Sequence, residues 1–368
     1  MFAALALTTA LSVPAAFGDV GEDRTVRLGR PGPARTAPPF VQVDTLGGGA
    51  FVLSAGTANV AAVLTRDGWI VVDTGTRLEA QAIRDELRRL ADRPVRLVFD
   101  THFHDDHAGG NALYLADHVP VVASRRTQAL AQARASRVTL GAPLEIARLE
   151  DYKEALPESP GRERLVAFYD FLQQWWSEAL AEVAVDSLAI APPNETFEHV
   201  TRRTVAGVDV EAHAFGPAHT GGDAIVFFPA QKVVAVGDVF ARGSAPWVDQ
   251  FMGDGSMDGL LAVQDSILAR IPEADTAWVI VPGHGRVARR ADLAANRKAL
   301  GELRACARGA FEVGRKRAKT AEDCAGLGFE GSQGGMVTWL FYEEWGHLPK
   351  PDPGGRSSSR RSSSAEHR

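Results

Sequence analysis

From Val41 the apolar and polar positions fall into a series of short runs, and those over Val41–Thr45, Ala50–Leu53, Asn59–Thr65 and Trp69–Val72 predict strands. The turn Arg66–Asp67–Gly68 joins the last two. After Val71–Val72–Asp73–Thr74–Gly75, apolar Leu78, Ile83 and Leu87 predict a helix that Pro94 stops. The run Val95–Phe99 predicts a strand, followed by a short helix over Asn111–Ala116, a strand over Val119–Ala123 and a helix from Ser124. Between 160 and 184, Leu165, Phe168, Leu172, Trp175, Ala179 and Val183 recur at helical spacing and predict an amphipathic helix laid on the core. A second series then predicts strands over Val205–Ala214, Ala224–Phe228, Lys232–Val236 and Trp278–Val281. Its helices fall over Ser256–Arg270, from about Ala288 to Val313 and from Gly335 to Trp345. Such an order predicts an α/β chain with two layers of sheet covered by helices on both outer faces.

The ends of the chain break this pattern. Phe2–Phe17 is an apolar run with small residues at Ala16 and Gly18, which predicts a signal peptide over 1–18 although no Lys or Arg precedes it. A periplasmic or secreted protein is the expectation, or a cytoplasmic one if that stretch is not a signal peptide. Residues 19–40, rich in Gly, Pro and Arg, read as a flexible lead-in, and the Ser/Arg-rich 349–368 as a disordered tail.

Composition narrows the function classes. With 368 residues, 45% hydrophobic and 23% charged, the chain has ample material for a packed core. A net charge of −6 offers no basic surface for nucleic acid, and no apolar run approaches the roughly 20 residues that span a bilayer. A small-molecule substrate is the expected partner, and the oligomeric state is not legible. The two cysteines, Cys306 and Cys324, could pair in an oxidising compartment, closing a loop that stabilises by about 3 kcal/mol.

The chemistry concentrates in Thr101–His102–Phe103–His104–Asp105–Asp106–His107–Ala108–Gly109–Gly110, at the tip of the strand Val95–Phe99. Alternate residues leaving a strand point the same way, so His102 and His104 can hold one cation, while Asp106 and His107, where the chain turns, can face a second. Further ligands are needed, and they stand in similar places after apolar runs: His219 in GPAHTGGD, Asp238 in VGDVF and His284 in VPGHG. His118, His199, His213, His347 and His367 lack such a context.

This ordered series, HxHxDH, GPxHT, GD and PGHG, resembles the metallo-β-lactamase-fold hydrolase superfamily over about residues 41–290. The resemblance implies a four-layer αβ/βα sandwich over 41–348, with a helical insert at about 125–195 and C-terminal helices at about 288–346. It implies that His102, His104 and His219 hold the first metal, that Asp106, His107 and His284 hold the second, and that Asp238 bridges them. Two zinc ions per chain are the expected cofactors; Fe or Mn also suits an Asp-bridged pair. The implied activity is metal-dependent hydrolysis of a carbonyl substrate (lactam, thioester, lactone or ester) by a metal-bound hydroxide that Asp106 orients. Asp73 and Asp223 are candidates to accept a hydrogen bond from a ligand imidazole and fix its tautomer. Trp247, Phe251 and Met252, which follow Asp238, are candidates for an apolar wall of the substrate cleft. Two alternatives stay open: a mononuclear iron enzyme resembling persulfide dioxygenases, and a non-catalytic metal-binding protein of the same fold.

Overall fold

The computed structural model describes residues 41–346 apart from 155–161, 251, 325, 330–332 and most of 164–189. The expected signal peptide, lead-in and tail, and the apolar stripe of the 160–184 helix, lie outside the described residues.

Two sheets form the centre. The first has seven strands in chain order: β1 (Gln42–Gly47), β2 (Ala50–Ser54), β3 (Asn59–Leu64), β4 (Trp69–Val72), β5 (Val95–Phe99), β6 (Val121–Ser124) and β7 (Glu195–Phe197). Pairing is antiparallel as far as β4 and parallel from β4 to β7. The second sheet runs β12 (Val279–Pro282), β11 (Val233–Gly237), β10 (Ile225–Phe228), β9 (Val208–His213), β8 (Val200–Val205), with only β11 and β12 parallel.

The period of two in the strands decides the layering. Ala61, Val63, Ile70 and Val72 point inward from the first sheet and meet Val210, Val226, Val233 and Ala235 of the second. Their neighbours Val60, Ala62, Trp69 and Val71 point outward, where α1 (Ala80–Leu90) and α3 (Asn111–Ala116) cover them with Ile83, Leu87 and Tyr114. On the far side Val234, Val236 and Ile280 pack under α5 (Met257–Arg270), α6 (Arg290–Glu312) and α8 (Gln333–Gly346). The result is a four-layer α/β sandwich. α4 (Arg125–Glu154) follows β6, and a disulfide from Cys306 to Cys324 ties α6 to α7 (Arg317–Cys324). Among the described residues no helix is long and apolar enough to cross a membrane.

Two sequence expectations shift. The single strand expected over Val205–Ala214 is a hairpin: Ala206 and Gly207, both at positive φ, turn β8 into β9. Leu78 is 56% exposed and precedes α1, whose buried face is Ala80, Ile83 and Leu87.

Candidate metal centre

Strands β4, β5, β9, β11 and β12 end on one edge of the sandwich, and each candidate ligand or its support leaves from one of those ends. The edge is stitched across both sheets, with Thr101 O accepting from Ala224 N (2.7 Å) and Gly283 O from Asn59 N (2.7 Å). After β5 the chain turns into α2 (Asp105–Ala108), a single helical turn that presents Asp106 and His107 inward. Asp105, which has no assigned role, points away with its carboxylate 3.8 Å from Arg134.

Two groups of donors form there: His102, His104, His219 and Asp238, and beside them Asp106, His107 and His284. His104 Nδ1 lies 3.1 Å from His102 Nε2 and 3.0 Å from His219 Nε2, and His107 Nε2 lies 3.4 Å from His284 Nε2. Two nitrogens 2.0–2.1 Å from one tetrahedral ion would be about 3.3–3.4 Å apart, close to these separations. Asp238 stands between the groups, with Oδ1 3.4 Å from His107 Nε2 and Oδ2 3.2 Å from His284 Nε2 and 3.6 Å from His219 Nε2. Its buried Oδ1 has no hydrogen-bond partner, an acceptor left for something other than protein.

The other nitrogen of every imidazole is engaged. His104 Nε2 faces Asp249 Oδ2 (3.0 Å), and His107 Nδ1 faces Asp73 Oδ2 (2.8 Å). His219 Nδ1 donates to the Trp247 carbonyl (2.8 Å) and His284 Nδ1 to the Thr57 carbonyl (3.0 Å). His102 Nδ1 meets Thr101 Oγ1 (3.0 Å), whose own proton goes to Asp73 Oδ2 (2.8 Å). With each outer nitrogen serving as donor, a neutral imidazole has its lone pair turned inward. The two groups can therefore each hold a metal ion.

Charge follows the same geometry. Burial drives the His102 imidazole well below its ordinary value, helped by its histidine neighbours, and brings His219 down to about 4. Burial also opposes charge on His107, but Asp106, Asp238 and Asp73 overcome it and hold the ring at about 9. His284 is raised well above its usual range against burial, by Asp238 and Asp106. Both carboxylates sit below theirs despite burial, because His107 and His284 face them. Without metal, protons on these rings balance the carboxylates.

Local backbone fixes these positions. Asp73 adopts φ 65°, a left-handed conformation that a non-glycine residue keeps only when its surroundings demand it. Thr101 supplies the demand, donating N–H to Oδ1 (2.7 Å) and O–H to Oδ2. Gly283 has no room for a side chain: a Cβ there would lie 1.9 Å from Asp238 Oδ1. Asn59 braces the His284 loop by donating to the Pro282 and Gly285 carbonyls (2.8 and 2.9 Å).

Three sequence expectations need correction or restriction. Asp223 does not accept from an imidazole; its carboxylate closes a local turn by accepting from Thr220 N (2.9 Å) and Oγ1 (2.6 Å). Met252 is 3% exposed and belongs to the core instead of an open wall. Trp247 is partly buried against that core and reaches the site through its carbonyl, while Phe251 lies outside the described residues. Sequence reasoning missed Asp249, Thr101 and Asn59. Asp249 lies among the residues already singled out after Asp238, but it is the apolar ones there that drew the reading.

A linear primary-alkylsulfatase from Pseudomonas sp. is 24% identical over 223 residues, 60% of this chain, and the match spans 40% of that relative's length. A metallo-beta-lactamase from Pontibacter korlensis superposes with a TM-score of 0.49 at 19% identity, covering 71% of this chain and 99% of that one. DIM-1 metallo-beta-lactamase gives 0.48 at 17% identity, covering 72% and 98%. Residues 53–284, more than half of the 368, match the model of the metallo-beta-lactamase superfamily, and the chain belongs to that family.

Proposed function

We propose that this chain is a metal-dependent hydrolase with a dinuclear, zinc-preferring centre at the shared edge of its two sheets. The observation that carries the reading is the orientation of the five imidazoles, each with its outer nitrogen engaged and its other nitrogen turned toward Asp238 or its neighbours. His102, His104 and His219 would hold one ion and Asp106, His107 and His284 the other, with Asp238 across both. When bound, two divalent cations supply an activated water and a partner for developing negative charge. Asp106 would orient that water as well as hold an ion, and Asp73, accepting from Nδ1, fixes the tautomer and orientation of the His107 ring so that Nε2 is left free for metal. The bond broken is the one joining an acyl group to its leaving atom in a lactam, thioester, lactone or ester.

A second reading keeps the centre and changes the bond: the curated relative is named for alkyl sulfates, so a sulfate ester belongs beside the carbonyl substrates. The test is metal analysis of the purified protein together with turnover of nitrocefin, S-lactoylglutathione, a simple lactone and dodecyl sulfate. Two metals per chain and hydrolysis of one class are expected. Asp238→Ala should lose one metal preferentially and most activity. Fewer than one bound metal per chain, or two tightly held metals in Asp238→Ala, would sink the proposal.

A further inference from the structure

We propose that a cleft on the outer face of the seven-stranded sheet, between α1, the start of β5 and α3, binds a phosphate-class tetrahedral oxyanion. The cleft holds about 160 Å³ and is lined by Arg84, Arg88, Arg93, Arg96, Tyr114 and Asp117, among others. At roughly 30 Å³ per water in liquid, it has room for an oxyanion with some hydration or for the phosphate end of a small molecule. Four arginines and one aspartate are among the lining residues, in a chain whose net charge is −6.

Local partners do not use up these donors. Arg84 Nη1 pairs with Asp117 (2.7 Å) and Nη2 with Gln81 Oε1 (3.0 Å), yet its buried Nε has no acceptor. Arg88 Nη1 is 3.8 Å from Asp85, and Arg96 Nε donates to the Asp67 carbonyl (2.8 Å). The Arg93 guanidinium makes no polar contact among the described residues. Tyr114 is 1% exposed, and its buried hydroxyl has no partner. Burial pushes that phenol above its ordinary value, so it stays protonated and available to donate.

Unmatched buried donors select the ligand class. A cation would face four arginines with one carboxylate, Asp117, already paired to Arg84, and an apolar group would leave Tyr114 and Arg84 unsatisfied. A dianionic oxyanion offers acceptors in several directions and suits the fork of a guanidinium. The site is separate from the metal centre: Arg93 and Arg96 stand at the start of β5, and His102 follows its other end, about 16 Å along a strand of five residues.

The test is calorimetric titration of the metal-loaded protein with inorganic phosphate at fixed ionic strength, with glycerol 3-phosphate in parallel to separate a free ion from a phosphate monoester. Saturable binding is expected, at least tenfold weaker in Arg93→Glu/Arg96→Glu and several-fold weaker in Tyr114→Phe, with metal content unchanged in both. Tyr114→Phe removes one oxygen and keeps the packing, so it tests the site even if the charge reversals disturb the fold. Phosphate affinity unchanged in both variants would assign the ion to the metal centre and overturn the proposal, as would no binding to the wild type.

Discussion

Asp249 offers the sharpest test of the inward lone pairs. Its Oδ2 lies 3.0 Å from His104 Nε2, and its Oδ1 accepts from Met252 N (2.8 Å). The residue is 4% exposed, and its carboxyl is held low despite burial, His104 being the main cause. In Asp249→Asn one of the two contacts must fail. If the amide nitrogen faces His104, donor meets donor and the ring is pressed into the tautomer whose Nδ1 carries the proton, the nitrogen meant for metal. If the amide turns over, its nitrogen meets the Met252 N–H instead, and the neutral oxygen left facing His104 is a weaker acceptor than the carboxylate. Loss of such a supporting partner costs roughly 10–100-fold in metal affinity, or about 1.4–2.7 kcal/mol. The metal-free fold should change little, because Asn retains the shape and one hydrogen bond. Competition with a chromophoric zinc chelator measures the affinity, and urea unfolding of the stripped protein measures the fold. Wild-type affinity for both ions in a folded Asp249→Asn would refute the reasoning.

Proton release gives a second prediction. His107, at about 9, and His284, raised well above its usual value, are protonated in metal-free protein at pH 7 and must be neutral to bind metal. Metal uptake should therefore release protons, and affinity should climb between pH 7 and about 9; calorimetry in buffers of different ionisation heats would show this, and no release would contradict it. By the same linkage, a folded value above the unfolded 6.5 means that His107 stabilises the stripped fold fully below pH 6.5, an effect lost as pH rises through about 9. Gly283→Ala drives a methyl carbon to 1.9 Å from Asp238 Oδ1 and 2.8 Å from His107 Cε1. A displacement near 1 Å should cost about 10²-fold in turnover, with substoichiometric metal on analysis and unchanged circular dichroism. Replacing Cys306 and Cys324 together by Ser opens a loop with a sequence separation of 18 and should lower unfolding stability by about 3 kcal/mol in urea titrations, leaving metal content intact.

The centre was legible where chemistry sits on regular structure. Val95–Phe99 is an unmistakable strand, and residues two apart beyond its end point the same way, so His102 and His104 could be paired before any coordinates. The strands were legible because Val60–Val63 and Trp69–Val72 are short continuous apolar runs, as expected of strands buried on both faces. The β8–β9 hairpin was not, since Ala206 at φ 49° announces no turn and the apolar pattern continues across it. Asp223, a candidate to support a ligand imidazole, is instead captured in a local turn by Thr220, one residue from His219. The true support for His104 comes from 145 residues away. Two further supports, at Trp247 and Thr57, are backbone carbonyls, a group every residue carries. A sequence can therefore name side chains able to hold a cation, but the direction in which each imidazole turns is decided by peptide groups that have no letter of their own.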